Sequence, residues 1–263
     1  MILEKLRTWL EGKLPGELPE EALRQGLTPE ALATVRGQFV AEEAKPPRIA
    51  LIGETGVGKS STINALFGHG LEISHTRACT QIETEVTGMR GRPVHVFDMP
   101  GLGEDVDADE KHYDTYKRVL PTVDLIVWIV KADNRAMTHI QVALERLLKQ
   151  AILDPARLVV AMNQVDLVQP GTWDPLINLP SPEQEATIRA RRDDIMQKLQ
   201  KVVNLADRQV VAYSATTYYN LDELFESMLG ACDGTRRWVL NDRADRADFN
   251  SLVAPAVTTS EEK

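Results

Sequence analysis

Gly53-Glu-Thr-Gly-Val-Gly-Lys-Ser60 reads G-x-x-x-x-G-K-S, and Ser61 follows it directly. The residues before it, Arg48-Ile-Ala-Leu-Ile52, form a short, mostly apolar run bounded upstream by Pro46-Pro47. Those after it, Thr62-Ile-Asn-Ala-Leu-Phe67, have helical character and stop at Gly68. Strand, glycine-rich turn and helix in that order are the setting a phosphate-binding loop needs. The glycines let the backbone close around phosphates where a Cβ would collide. The loop N–H groups and the positive end of the helix dipole both favour an anion. On this reading Glu54, Thr55, Gly56, Val57, Gly58, Lys59, Ser60 and Ser61 surround the ligand. Lys59 reaches the β- and γ-phosphates, and the Ser60 hydroxyl ligates Mg2+. The plain alternative is a glycine-rich turn with an incidental lysine. At the average glycine frequency of ~7%, a chance match in a chain this long is on the order of one in a hundred.

The chain has 263 residues, enough for one large α/β domain with extensions. Hydrophobic content of 43% and charged content of 26% exclude a disordered or fibrous class. The net charge of -9 sets the surface as a whole against nucleic acid and anionic membranes. No nucleic-acid partner is expected on that ground, and peripheral membrane contact stays an open alternative. Cys79 and Cys232 form no metal or disulfide spacing, which fits a reduced, cytoplasmic setting. The start, Met1-Ile-Leu-Glu-Lys-Leu-Arg7, carries charges too early for a signal peptide. No apolar run approaches the ~20 residues of a membrane span.

Residues 1–46 read as a helical N-terminal extension. From Arg48 onward strands and helices alternate. Strands are expected at Ile49–Ile52, Glu83–Met89, Val94–Phe97, Val123–Val130, Leu158–Met162 and Gln209–Tyr213. Helices are expected at Lys59–Phe67, Glu110–Val119, Thr138–Leu153, Pro182–Val203 and Leu221–Leu229. Asp124-Leu-Ile-Val-Trp-Ile-Val130 is nearly all apolar, as a central strand covered on both faces must be. Ile140, Leu144, Leu147 and Ala151 recur at helical spacing, as do Ile188, Ile195, Leu199 and Val202. Ser181-Pro-Glu-Gln184 is a capping-box sequence. Asp166 to Leu179 is longer than most connections in such folds. The alternation implies βαβ units and a mostly parallel sheet with helices on both faces. Residues 47–231 are expected to hold this domain, and 232–263 a helical segment and a disordered tail.

Four further segments fall at strand ends, where open α/β sheets bind ligands. Asp98-Met-Pro-Gly101 can hold Mg2+ through water at Asp98 and offer the Gly101 N–H to a γ-phosphate; alone, it is a common turn. Thr80, or Thr76 in the same loop, can complete the metal shell. Asn163-Gln-Val-Asp166 places a carboxylate where it accepts from N1–H and the 2-amino group of guanine. Adenine offers no such donor pair, so an unpaired Asp166 would discriminate on the order of 10⁴-fold. Asn163 can bond the base and tie its loop to the phosphate loop. Ser214-Ala215, after the last expected strand, can meet guanine O6 through its backbone.

The order GETGVGKS, Thr80, DMPG, NQVD, SA resembles a TRAFAC-class small GTPase domain of the Era-like kind, over about Arg48 to Ala231. ACTQ, DMPGLGE, DLIVWIVKADNRA and NQVD resemble more closely a group of small bacterial GTPases loosely described as ribosome-binding. The resemblance implies a three-layer P-loop NTPase fold with a mostly parallel six-stranded sheet. It implies GTP/GDP and Mg2+ as ligands, and switch loops at about 69–82 and 99–111 that order around the γ-phosphate. Lys59, Thr80 and Gly101 become the catalytic set. Gln164 joins Asn163, Asp166, Ser214 and Ala215 around guanine. Ser60, Thr80 and Asp98 surround the metal. Three positions depart from the pattern. Gln164 replaces the lysine that stacks on the base. Gly56 replaces the asparagine associated with potassium binding. Leu102 stands where Ras-like enzymes place a water-orienting glutamine, so hydrolysis is expected to be slow, with Glu104, His75 and Arg77 as rescuers. A protein effector and a nucleotide-dependent homodimer are the expected partners. The N-terminal helix, with Lys5, Arg7 and Trp9, is too rich in glutamate to favour anionic lipid. Arg236-Arg237-Trp238 could stack on RNA, although acidic residues soon follow.

Overall fold

The computed structural model of the chain describes residues 44–67, 83–87, 92–102, 106–134 and 137–244, together with positions 34, 37, 41 and 42. Thr76, Thr80, His75, Arg77 and Glu104, the N-terminal helices and the C-terminal tail lie outside these residues.

Strands β1 (Arg48–Ile52), β2 (Glu83–Thr87), β3 (Pro93–Asp98), β4 (Leu125–Lys131) and β5 (Leu158–Asn163) alternate with helices α1 (Lys59–Phe67), α2 (Val106–Val119) and α3 (Thr138–Lys149). A two-stranded insert follows, β6 (Trp173–Asp174) and β7 (Leu179–Pro180). Helix α4 (Pro182–Leu199), strand β8 (Val210–Ala212) and helices α5 (Leu221–Ala231) and α6 (Gly234–Asn241) complete the order. The main sheet has six strands in the order β2-β3-β1-β4-β5-β8. Every pairing is parallel except β2 with β3. This is the mostly parallel sheet that the alternation predicts and the P-loop NTPase architecture that the resemblance implies.

Side chains of successive strand residues point to opposite faces, so two cores form. Ile52, Phe97, Ile126, Trp128 and Val160 pack toward α2, α3 and α4. Ile49, Leu51, Val96, Val127 and Val159 pack toward α1, α5 and α6. β4 is buried along Leu125–Val130, which explains its near-continuous apolar sequence. Truncating such a residue to alanine costs ~2–5 kcal/mol.

Four helix ends differ from expectation: α2 starts four residues early, at Val106, α5 runs two residues further, to Ala231, and α3 and α4 both stop short. α3 stops at Lys149 because Ala151 takes a left-handed φ of 53°. The Ile152 N–H then bonds Leu147 O at 2.9 Å and the Ala151 N–H bonds Leu148 O at 3.0 Å, which is a Schellman closure. Ala151 is consequently exposed rather than part of the buried stripe. α4 ends at Leu199, four residues early, and Val202 beyond it is half-buried. Its start is only half a capping box. Ser181 Oγ accepts from the Gln184 N–H at 3.3 Å, but the Gln184 amide turns away to Asp166 O and Val168 O, both at 3.0 Å. Among the described residues no helix is long and apolar enough to cross a membrane.

Candidate functional site

Parallel register brings the motifs to one edge. Leu51 pairs with Asp98 and Lys131 with Asn163, so the loops after β1, β3, β4 and β5 emerge side by side. The loop Gly53–Ser60 leaves β1 there and feeds directly into α1. Two of its glycines are sterically required, and Gly56 takes a left-handed φ of 79°. A Cβ at Gly53 would lie 2.5 Å from Ile129 O. Gly58 has φ +95°, and a Cβ there would collide with Asn163 Nδ2. Val57 turns its side chain into the core, while Thr55, Gly56, Ser60 and Ser61 are exposed along the loop and the start of α1.

Lys59 crosses the loop. Its Nζ donates to Gly53 O at 2.9 Å and Glu54 O at 3.3 Å, and lies 3.6 Å from Asp98 Oδ1. The Glu54 carboxylate turns the other way, 2.6 Å from His139 Nε2, in an approach that lacks hydrogen-bond geometry. Thr62 Oγ1 donates to Gly58 O at 2.8 Å, so the Tyr213 hydroxyl, 2.6 Å away, is the donor to Thr62. That bond ties the end of β8 to α1. Burial pushes the Tyr213 phenol far above its ordinary value, keeping it neutral and a donor.

Asn163 joins three loops and is 2% exposed. Its Nδ2 donates to Val57 O at 2.8 Å, and its Oδ1 accepts from the Ala215 N–H at 3.0 Å. The Ala215 amide, read above as a contact for guanine O6, thus points at Asn163. Ser214 is buried and serves its own turn: its N–H bonds Tyr219 O and its Oγ accepts from Thr217 N–H at 3.1 Å. Gln164 adopts a left-handed φ of 65° and donates to Gly56 O at 3.0 Å. Lys131 Nζ comes within 3.8 Å of where a Gly56 Cβ would stand. β4 therefore brings a cation to the loop that position 164 lacks, a placement no motif signals.

The Asp166 Oδ1 atom is buried and has no hydrogen-bond partner. A carboxylate oxygen in that state is costly unless a ligand supplies the donors. The Asp166 backbone is meanwhile held by Gln184. This orphaned acceptor and the cradle that a Cβ would fill both fit a guanine nucleotide. Ser60 and Asp98 are hard oxygen donors of the kind Mg2+ takes; Asp98 is half-exposed at the end of β3.

Beside Lys59 opens a cleft of 410 Å³ lined by Gly53, Thr55, Asp98, Gly101, His112 and Thr115. His112 Nδ1 lies 2.8 Å from Gly101 O, and Tyr116 Oη donates to Pro100 O at 2.8 Å, so α2 grips this loop by two side chains. Leu102, the next residue, is 6% exposed and belongs to the core. His112 was not legible as a site residue. No motif contains it, and only the packing of α2 brings it to the cleft.

The parallel P-loop sheet carries a phosphate loop, an aspartate after β3 and an unpaired aspartate after β5, and in this arrangement it is similar to GTPase domains of the TRAFAC class. Residues 48–164 match the family described as "50S ribosome-binding GTPase". The chain is 40% identical over 94 residues to "Uncharacterized protein YkfA" of Escherichia coli (strain K12), covering 35% of this chain and 33% of that protein. It is 31% identical over 187 residues to "Uncharacterized protein YfjP" of the same organism, covering 70% and 61% respectively. The chain thus spans between a third and about three-fifths of these relatives' lengths. The solved structure "LeoA bacterial dynamin GTPase from ETEC" shares the fold at a TM-score of 0.56 and 17% identity, covering 86% of this chain and 43% of that one.

Proposed function

We propose that this protein binds GTP and GDP together with Mg2+, hydrolyses GTP slowly and acts as a nucleotide-dependent switch in the cytoplasm. The buried, unpartnered Asp166 oxygen carries the guanine assignment. It has the capacity to accept from N1–H and the 2-amino group, and adenine would leave it unpaired. Lys59 and the loop N–H groups hold the phosphates, and the Gly101 N–H meets the γ-phosphate. Asn163 shapes the base pocket, with Gln164 and Ala215 alongside it. Ser60, Thr80 and, through water, Asp98 hold the metal. When bound there, Mg2+ would supply positive charge to offset the phosphate charge.

Slow turnover is supported by Leu102. A leucine in the core cannot orient water, which leaves that task to another group, and the expected rate is that of G domains without activators, ~10⁻⁴–10⁻² s⁻¹. The same residue favours a second reading, a GTP-gated module that dimerises or docks on a partner with negligible hydrolysis. The family's description brings a further form of it, docking on a ribosomal subunit, although a net charge of -9 works against RNA.

Titration with fluorescent GDP and ADP tests the base: equal affinities overturn the guanine assignment. GTP turnover over a protein-concentration series tests the chemistry. A constant specific rate supports the monomeric enzyme, and a rate rising with concentration supports a dimer. Binding without turnover at any concentration supports the interaction module. Co-sedimentation with ribosomal subunits only in the GTP state supports the docking form.

A further inference from the structure

The far wall of the cleft beside Lys59 is α2, which presents His112 and Thr115 one helical turn apart, next to Asp98 and Gly101. With Leu102 in the core, the residue after Asp98-Met-Pro-Gly101 is lost to water positioning. The His112 ring is fixed by its Nδ1 contact of 2.8 Å with Gly101 O. A carbonyl oxygen only accepts, so Nδ1 carries the proton. In the neutral imidazole the other nitrogen, Nε2, is then an acceptor with no proton of its own. Tyr116, one turn further, holds the neighbouring Pro100 carbonyl at 2.8 Å and keeps the grip rigid.

We infer that His112 is the water-orienting residue of this GTPase, with Nε2 accepting a hydrogen bond from the attacking water. The assignment rests on the proposed hydrolysis of GTP. Its logic is that of a split residue. The Nδ1–H reads the position of Gly101, whose N–H meets the γ-phosphate, and Nε2 sets the water relative to that same peptide. In the step itself the water oxygen bonds to the γ-phosphorus. The bond from that phosphorus to the bridging oxygen breaks, and GDP leaves with the electron pair. One water proton stays on the inorganic phosphate, and the other passes by way of Nε2 to solvent.

Three substitutions separate the two halves of the ring. His112→Asn keeps a donor for Gly101 O but has nothing where Nε2 stood. His112→Gln reaches the Nε2 position with an acceptor. His112→Ala removes both. In single-turnover assays the Asn and Ala variants are expected to lose on the order of 10²-fold in rate, the scale of a positioned acid–base group, while Gln retains more than either. Affinity for fluescent-labelled GDP should stay within about threefold in all three, because the loss falls on the reacting state. Side-chain nitrogen NMR at pH 8 should show His112 as the Nδ1–H tautomer. A wild-type rate in His112→Asn, or the Nε2–H tautomer, overturns the assignment and leaves the hydrolysis reading intact. Wild-type protein that binds GTP and never turns it over sinks both together.

Discussion

The proposed guanine specificity rests on a single side chain, Asp166. Its Oδ1 is buried without a partner, while Gln184 fixes the backbone behind it through Asp166 O at 3.0 Å. A rigid, unsatisfied acceptor rejects a base that cannot donate to it, because binding would seal the desolvation penalty in place. Asp166→Asn replaces one acceptor by a donor. GDP affinity is expected to fall by ~10³–10⁵-fold, the range seen when a site's polar groups go unpaired. Xanthosine diphosphate has a carbonyl where guanine has its amino group, so it should bind the variant better than GDP does. Calorimetric titration with the two nucleotides checks this. A variant that keeps its preference for GDP would place Asp166 away from the base. The residue was readable from sequence because it stands three positions after Asn163 at a strand end. Lys131 and His112 were not, since each reaches the site through tertiary packing and belongs to no spacing pattern.

Ala151 shows how an element can end without its usual signal. Helices that close in a Schellman motif most often place glycine at the left-handed position, because a Cβ there meets the adjacent carbonyl. This chain has alanine, at φ 53°. Periodicity alone therefore carries α3 on to Leu153, four residues past its observed end at Lys149. Ala151→Gly relieves the strain at the cost of extra freedom in the unfolded chain. The two partly cancel, and a net gain of about 0.5–1 kcal/mol is expected. Chemical denaturation reads it as a higher midpoint with an unchanged slope; a lower midpoint would show that the left-handed turn carries no strain. The strands were far more legible than this helix end. β1, β4 and β5 are buried on both faces, and their composition states as much. The β6–β7 insert was not legible at all, because two residues per strand give no alternation to read. Its place is set by contacts from outside, such as Trp173 edge-on to Tyr219 at 5.0 Å.

At the scale of the whole molecule the two ends of the sheet do different jobs. The carboxyl ends of the strands carry the nucleotide loops, and the amino ends are fastened by Arg236 of α6. Its guanidinium donates to Glu42 O at 3.0 Å, Lys45 O at 3.2 Å and Pro46 O at 2.9 Å, and pairs with Asp124 Oδ2 at 2.9 Å. Asp124 precedes β4 and also accepts from the Arg48 N–H at 2.9 Å, where β1 begins. Arg237 is likewise spent internally, with Nε donating to Leu229 O at 2.8 Å. Neither arginine is thus positioned for the RNA stacking that Arg236-Arg237-Trp238 suggested in sequence. Arg236→Ala leaves three carbonyls and a carboxylate short of a donor in a buried place. Breaking such a pair costs ~3–5 kcal/mol; because Asp124 keeps the Arg48 amide, the lower end applies. At roughly 2–4 °C per kcal/mol for a chain of this size, the Tm should fall by about 6–12 °C. GDP affinity, measured well below that Tm, should not change, because none of these contacts reaches the nucleotide edge. Asp166→Asn should give the reverse pattern, with affinity lost and the Tm of the nucleotide-free protein kept. If Arg236→Ala weakens GDP binding as much as it lowers Tm, the sheet transmits strain from one end to the other, and fastening and binding are not separable.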